Sequence, residues 1–419
     1  MIEIKPGKIK DTTVSVPGSK SYTHRMLIAA ALSDGRCNIK NYLRSEDTLL
    51  TLSCLRQIGT EIREETGHVN IQGAGGKFKP ADHPIDLGNS GSSMRLLTAV
   101  VALGQGPYKL TGTGRMRQRP IQDLLDSLIQ MGIDARSLNN DGCPPVEVSG
   151  TKIKGGKINI DCRISSQFLS AVLLIAPFAE EPVEINVTGG PVSKPYIDMT
   201  LDVMQSFGLT VNRCGYSQFE ITNGQKYQAG DYAVVPDYSQ AGYFWAAAAI
   251  TGRSIKVKYT SKDTRQGDVR FAECLKMMGC DVRYDKDGIQ VSGRPLTAIS
   301  VDMADMPDMV PTLAVVAAFA EGTTVIENVA HLKAKESDRL SVVAEELSKM
   351  GIEAECSNTG LIIKGGKPKG AVIDTYHDHR IAMSFALAGL KTPGTRIKDE
   401  MCVKKSFPNF WEVFEQLLE

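Results

Sequence analysis

One local pattern returns five times along this chain: an amphipathic run that ends on an apolar residue and a glycine, followed by alternating apolar and polar residues. The copies are Arg56-Gln57-Ile58-Gly59-Thr60-Glu61, Ile129-Gln130-Met131-Gly132-Ile133, Gln205-Ser206-Phe207-Gly208-Leu209, Lys276-Met277-Met278-Gly279-Cys280 and Ser348-Lys349-Met350-Gly351-Ile352. Glycine stops a helix by taking the left-handed conformation that side chains resist. The alternation that follows, as in Gly288-Ile289-Gln290-Val291-Ser292, reads as a hairpin strand. A period of about 73 residues marks a supersecondary unit whose apolar face is covered only by its neighbours. The chain is therefore a set of repeated α/β units.

A sixth copy begins with the apolar pattern at 410–418 and then stops. Its missing hairpin is expected at the other end, in Ile2-Glu3-Ile4 and Thr12-Thr13-Val14-Ser15-Val16. The N-terminal strands then belong with the C-terminal half. This gives a discontinuous domain of 1–16 plus 235–419 and an inserted domain of 17–234, with a hinge of two chain crossings near Pro17 and near Pro236-Asp237. A length of 419 residues suits two cores better than one.

Apolar helices are expected at 94–103, 168–178, 243–250, 310–319 and 381–390. Several are apolar nearly all round, as in Phe244-Trp245-Ala246-Ala247-Ala248-Ala249-Ile250, which fits burial inside a domain. None is long enough to span a bilayer. A small or polar cluster precedes each one: Gly88-Asn89-Ser90-Gly91, Ser165-Ser166-Gln167, Asp237-Tyr238-Ser239, Met306-Pro307-Asp308 and His377-Asp378-His379-Arg380. Pro17-Gly18-Ser19-Lys20-Ser21-Tyr22-Thr23-His24-Arg25 likewise precedes an apolar run beginning at Met26. Each cluster reads as an ordinary cap. Gathered at one place, such helix N-termini also make an anion site.

Lysine plus arginine equals aspartate plus glutamate at 48 each, so no global field draws nucleic acid or a membrane surface. Cations are instead concentrated beside the clusters, at Lys20, Arg25, Arg95, Arg119, Lys194, Lys335, Arg339, Arg380 and Lys405, as a ligand with several anionic groups requires. Asp308, which follows Pro307 at a helix start, and Glu336, whose neighbouring cations can tune its pKa, are the candidates for acid and base work. Asp338 reads as a cap or an ion-pair partner. The nine cysteines form no Cys-x-x-Cys, and His377 and His379 would face opposite ways on a strand, so no metal is expected. Ser19 stands where the Walker A pattern needs the glycine before its lysine, which argues against ATP. The N-terminus has no signal-like apolar segment, and a soluble cytosolic protein is expected.

Pro17-Gly18-Ser19-Lys20-Ser21, Leu87-Gly88-Asn89-Ser90-Gly91, Arg115-Met116-Arg117-Gln118-Arg119-Pro120, Ser165-Ser166-Gln167-Phe168-Leu169, Ser193-Lys194-Pro195-Tyr196-Ile197, Lys335-Glu336-Ser337-Asp338-Arg339-Leu340 and Asp378-His379-Arg380 together resemble the signatures of the 5-enolpyruvylshikimate-3-phosphate synthase family. The resemblance runs in order along the whole length. It implies two inside-out α/β domains, each of three βαβαββ repeats with buried helices, joined by a two-strand hinge. It also implies transfer of the enolpyruvyl group of phosphoenolpyruvate to shikimate 3-phosphate on the route to chorismate, without cofactor or metal. A monomer is expected, and because cations in the two halves repel one another until anions bridge them, the domains are expected to close on their ligands. Asp308 would take the 5-hydroxyl proton, Glu336 would give and retake the methyl proton, and Lys20 would touch both ligands. Arg119, Arg339, Arg380, Lys405, Gly91 and Gln167 would hold phosphoenolpyruvate. Ser21, Arg25, Ser165, Ser166, Gln167, Ser193, Tyr196 and Lys335 would hold shikimate 3-phosphate, beside Asp308 and Lys20.

The chain departs from the family pattern at Ser90, Ser92 and Leu96, where Ala, Thr and Pro are common, and at His331, where Asn or Gln often touches substrate. These positions bear on sensitivity to glyphosate. The related UDP-N-acetylglucosamine enolpyruvyl transferases carry a reactive cysteine in the region matching 111–120, and this chain has none there.

Overall fold

A computed structural model describes residues 1–150 and 152–419. Its helices are α1 (Lys20–Leu32), α2 (Glu46–Gln57), α3 (Gly91–Val100), α4 (Gln122–Gln130), α5 (Gln167–Ile175), α6 (Pro195–Ser206), α7 (Tyr238–Thr251), α8 (Phe271–Met277), α9 (Val310–Ala317), α10 (Arg339–Lys349), α11 (His379–Gly389) and α12 (Phe410–Glu415). They alternate in character. In α5, α7, α9 and α11 nearly every residue is buried, whereas α4 buries only Leu124, Leu125, Ser127 and Leu128. A helix apolar on all sides must be surrounded by protein, and a striped one can face water.

Five even-numbered helices end on the repeated glycine. Gly59, Gly132, Gly208, Gly279 and Gly351 all have left-handed φ, between +77° and +108°. In each copy the next amide donates back to a carbonyl five residues earlier, as in Thr60 N to Leu55 O (2.9 Å) and Ile352 N to Leu347 O (3.1 Å). This 6→1 bond closes a Schellman motif and turns the chain into the hairpin. Glu61–Glu65 with His68–Gln72 is the first such hairpin and Glu353–Cys356 with Leu361–Lys364 the last.

The chain divides into two compact units, Gly18–Val235 and Met1–Pro17 with Pro236–Glu419. Each has its own hydrophobic core. In the continuous unit α3 packs on α5 and α1; in the discontinuous unit α7, α9 and α11 pack on one another. Among the described residues five sheets have four strands in a common order: a strand lies parallel to its neighbour, which pairs antiparallel with the second strand of a hairpin. The sixth sheet has three strands.

Two sheets are completed by remote segments. Asp231–Ala233 lies parallel to Arg36–Lys40 in the continuous unit, and Thr12–Val14 lies parallel to Ser254–Lys258 in the discontinuous one. Ile2–Glu3 instead runs antiparallel to Arg396–Ile397. The N-terminal strands thus join the C-terminal half but do not form the expected hairpin with each other. Each satisfies its backbone on a different sheet, with Ile9 bridging to Leu418 between them.

The helix expected from Met26 begins at Lys20, because Thr23 N donates to Ser19 O (2.8 Å) and starts the turn there. Polar side chains did not delay the helix. They were carried on its first turns. His377 and His379 are not on a strand: His377 is exposed in a turn, and His379 is buried at the start of α11.

Candidate active site

In the continuous unit the polar groups gather at the N-terminal ends of α1, α3 and α5. Lys20 sits on the first turn of α1 and its Nζ lies 3.0 Å from Asp47 Oδ2 of α2, with both side chains largely buried. Arg25 is wholly buried. It donates from Nε to Thr200 Oγ1 (2.7 Å), from Nη1 to Ser21 O (2.9 Å) and from Nη2 to Tyr196 O (3.0 Å). Burial lowers its pKa to about 10, partly countered by Tyr196 and Tyr22, so it stays charged at neutral pH. A cation paid for by neutral acceptors alone keeps its attraction for an incoming anion.

Gln167 opens α5 and spans to α3: its Nε2 donates to Ser92 Oγ (2.9 Å) and its Oε1 accepts from Arg95 Nη1 (3.0 Å). Ser165 Oγ accepts from Gln167 N, and Ser166 Oγ donates to the carbonyl of Ser193, itself in the left-handed region. Ser90 caps α3 through Ser93 N. Arg119 is buried and donates to Asn89 O (3.3 Å). A Cβ built on Gly91 would lie 2.5 Å from Arg119 Nη2, so only glycine lets the helix start and the guanidinium approach this closely.

In the discontinuous unit the centre is Arg339, on the first turn of α10 and 1% exposed. Its Nη1 meets Asp308 Oδ1 at 2.8 Å and its Nη2 meets Glu336 Oε2 at 2.9 Å. Asp378, fully buried, takes Arg339 Nε at 2.8 Å and Nη2 at 3.2 Å, and also accepts from Ser337 Oγ (3.1 Å). Arg380 Nη2 reaches the other oxygen of Asp308 at 2.9 Å, and its Nη1 donates to Tyr243 OH (3.1 Å). Two guanidinium forks therefore share one carboxylate. Burial opposes the charge on Arg339, but Asp378, Glu336 and Asp308 outweigh it and hold the pKa above its ordinary value. Arg380 is raised in the same way, burial being overcome chiefly by Asp308.

The expected residues thus fall into two sets. Lys20, Ser21, Arg25, Gly91, Arg119, Ser165, Ser166, Gln167, Ser193 and Tyr196 lie in the continuous unit; Asp308, Glu336, Arg339, Arg380, Lys335 and Lys405 lie in the other. Asp308, Glu336, Arg339 and Arg380 form one hydrogen-bonded cluster. Lys335 follows the short helix Ala330–Ala334, and Lys405 ends Glu400–Lys405 next to Ser406, whose carbonyl accepts from Gln240 Nε2 on α7 (2.6 Å). His331 is held to about 3 by burial, with Lys335 adding to the effect, and is a neutral imidazole. Asp338 caps α10 through Leu340 N and Ser341 N. The sequence reading missed Asp47 and the second role of Asp378. No group of three or more His, Cys, Asp or Glu side chains suited to a metal occurs among the described residues.

Similar proteins have known identities. The family model described as EPSP synthase (3-phosphoshikimate 1-carboxyvinyltransferase) matches residues 4–414. The 3-phosphoshikimate 1-carboxyvinyltransferase of Methanoculleus marisnigri is 43% identical over 404 residues, covering 96% of each chain. That of Nostoc punctiforme is 42% identical over 412 residues, covering 98% of this chain and 97% of its own. An EPSP synthase structure from Acinetobacter baumannii matches with a TM-score of 0.84 at 31% identity, over 99% of this chain and 97% of that one.

Proposed function

The chain belongs to the EPSP synthase family, the 3-phosphoshikimate 1-carboxyvinyltransferases, and from that premise we propose how its residues carry out the reaction. The enolpyruvyl group of phosphoenolpyruvate passes to the 5-hydroxyl of shikimate 3-phosphate, in aromatic amino acid biosynthesis.

The observation that carries this reading is the sharing of Asp308 between Arg339 and Arg380, with Glu336 on the same guanidinium. Two forks aimed at one carboxylate fit a doubly anionic donor, since a carboxylate or phosphate takes the place Asp308 fills. When phosphoenolpyruvate occupies the forks, Asp308 turns to the 5-hydroxyl of the acceptor and takes its proton as the oxygen attacks C2. Glu336 gives a proton to C3, forming a tetrahedral intermediate that still carries the phosphate. Glu336 then retakes a methyl proton, the C2–O bond to phosphate breaks, and phosphate leaves. Glu336 ends as it began, the proton that Asp308 took passes to the departing phosphate, and Lys20 neutralises that leaving group.

Arg119, Lys405, Gln167 and the Gly91 amide also bind phosphoenolpyruvate. Ser21, Arg25, Ser165, Ser166, Gln167, Ser193, Tyr196 and Lys335 hold the acceptor. Among the described residues no helix is long and apolar enough to cross a membrane. We place the enzyme in the cytosol as a monomer, which light scattering after size exclusion checks.

Phosphate release from phosphoenolpyruvate plus shikimate 3-phosphate tests the function. Turnover with UDP-N-acetylglucosamine in place of the shikimate ester, or ligand binding without phosphate release, would overturn it.

A further inference from the structure

Glu346 lies on α10 seven residues beyond Arg339, two helical turns away on nearly the same face. Its side chain has no exposure to solvent, a rare place for a carboxylate unless every oxygen is paired. Oε1 accepts from Lys349 Nζ (2.6 Å) and from Tyr376 OH (3.0 Å), and Oε2 accepts from the backbone N–H of Asp374 (3.1 Å). Lys349 also reaches Asp374 Oδ2 at 3.1 Å, and Lys398 takes the other oxygen at 2.7 Å. Segment 374–376 is therefore gripped by backbone and side chain together.

That segment leads into an unusual turn. Tyr376 and His377 both have left-handed φ, +53° and +54°, although neither is glycine. Consecutive side-chain-bearing residues keep this conformation only where their surroundings over-determine it. The next residue is Asp378, which caps α11, accepts from Arg380 N (2.9 Å) and pairs with Arg339. Helix α10 thus holds the turn from both sides, with Arg339 beyond it and Glu346 before it.

We propose that Glu346 is a positioning residue for the reaction: by clamping Asp374 and Tyr376 it holds the strained turn that delivers Asp378 and Arg380 to Arg339. Loosening the clamp lets the two forks drift out of register with the anionic groups they grip. The inference rests on the assignment of Arg339 and Arg380 to phosphoenolpyruvate. A merely structural Glu346 would affect melting and leave the kinetic constants alone.

The test uses the full chain as wild type, Glu346→Gln, Tyr376→Phe and the double variant, with phosphate release followed at varied concentrations of each substrate. Glutamine keeps the shape but cannot accept a bond through its amide nitrogen, and Tyr376→Phe removes one bond while sparing the carboxylate and its lysine. In each single variant the KM for phosphoenolpyruvate is expected to rise about three- to tenfold, the range one hydrogen bond commands. The KM for shikimate 3-phosphate should stay within twofold, and the double variant should rise by less than the product of the singles. A phosphoenolpyruvate KM within twofold of wild type in a folded variant, or an equal rise in both constants, overturns the proposal. If Glu346→Gln does not fold, Tyr376→Phe decides by the same criteria. A wild type that releases no phosphate from this pair defeats the functional reading itself, before any variant is compared.

Discussion

Asp378→Asn isolates the buried charge balance around Arg339. Asparagine can keep the cap of α11, because one oxygen remains to accept from Arg380 N. Its amide nitrogen then faces Arg339 Nε and Ser337 Oγ, which Asp378 Oδ2 now receives at 2.8 and 3.1 Å. A hydrogen bond to a charged group contributes about 1.5–3 kcal/mol, and loss of one partner of a buried pair costs about 3–5 kcal/mol. Arg339 retains Asp308 and Glu336, so the loss falls towards the lower end, about 2–3 kcal/mol. For a unit of about 200 residues this lowers the melting midpoint by about 4–12 °C. The assay is specific to that unit, because both tryptophans, Trp245 and Trp411, lie in it and report its unfolding by fluorescence. A midpoint within 1 °C of wild type would refute the claim that Asp378 holds Arg339 in place.

Other changes reach different parts of the site. Lys20→Met is expected to cut kcat by about 10²–10³-fold, the scale of losing one positioned charge stabiliser, while the far-UV circular dichroism stays that of wild type; a kcat within tenfold of wild type would mean the centre of the reaction lies elsewhere. Asp268, fully buried and bonded to Ser239, has its pKa raised to about 7, first by burial and then by Asp308, against the pull of Ser239 and Arg380. The folded state then holds a proton that the unfolded chain releases near pH 4, so stability falls as pH rises from about 4 to 7 and levels off above. Asp268→Asn should flatten the decline of the tryptophan-detected midpoint over that window, and an unchanged slope would remove Asp268 as its source.

The repeat was the legible part of the fold. Glycine before an alternating run carries local chemistry, and local chemistry is what a sequence displays. The N-terminal strands were harder, because which sheet accepts Ile2–Glu3 and which accepts Thr12–Val14 is decided by segments hundreds of residues away. The site divides along the same line. Arg339, Arg380 and Glu336 stand in compact motifs and are found by reading. Asp47 looks like an ordinary acid in the first turn of a helix opened by Ser45, and it is one; its ion pair with Lys20 exists only once α1 and α2 are packed. Asp378 likewise reads correctly as a cap, and its second role waits for α10 to bring Arg339 within reach.

The parallel pairing of Thr12–Val14 with Ser254–Lys258 has a consequence for the chain as it is made. The ribosome delivers the short strand first and its partner about 240 residues later, a delay of about ten to fifty seconds at ordinary elongation rates. During that interval the continuous unit, 18–235, emerges whole, with every strand of its three sheets available. The leader segment ahead of it must wait with its backbone unpaired. On stalled nascent chains we expect protease to cut within 12–14 until Ser254–Lys258 has cleared the exit tunnel and to spare that stretch afterwards, while 2–10 stays open to cleavage until Arg396–Ile397 and Leu418 have followed. Residues made before the continuous unit are among the last to find their place.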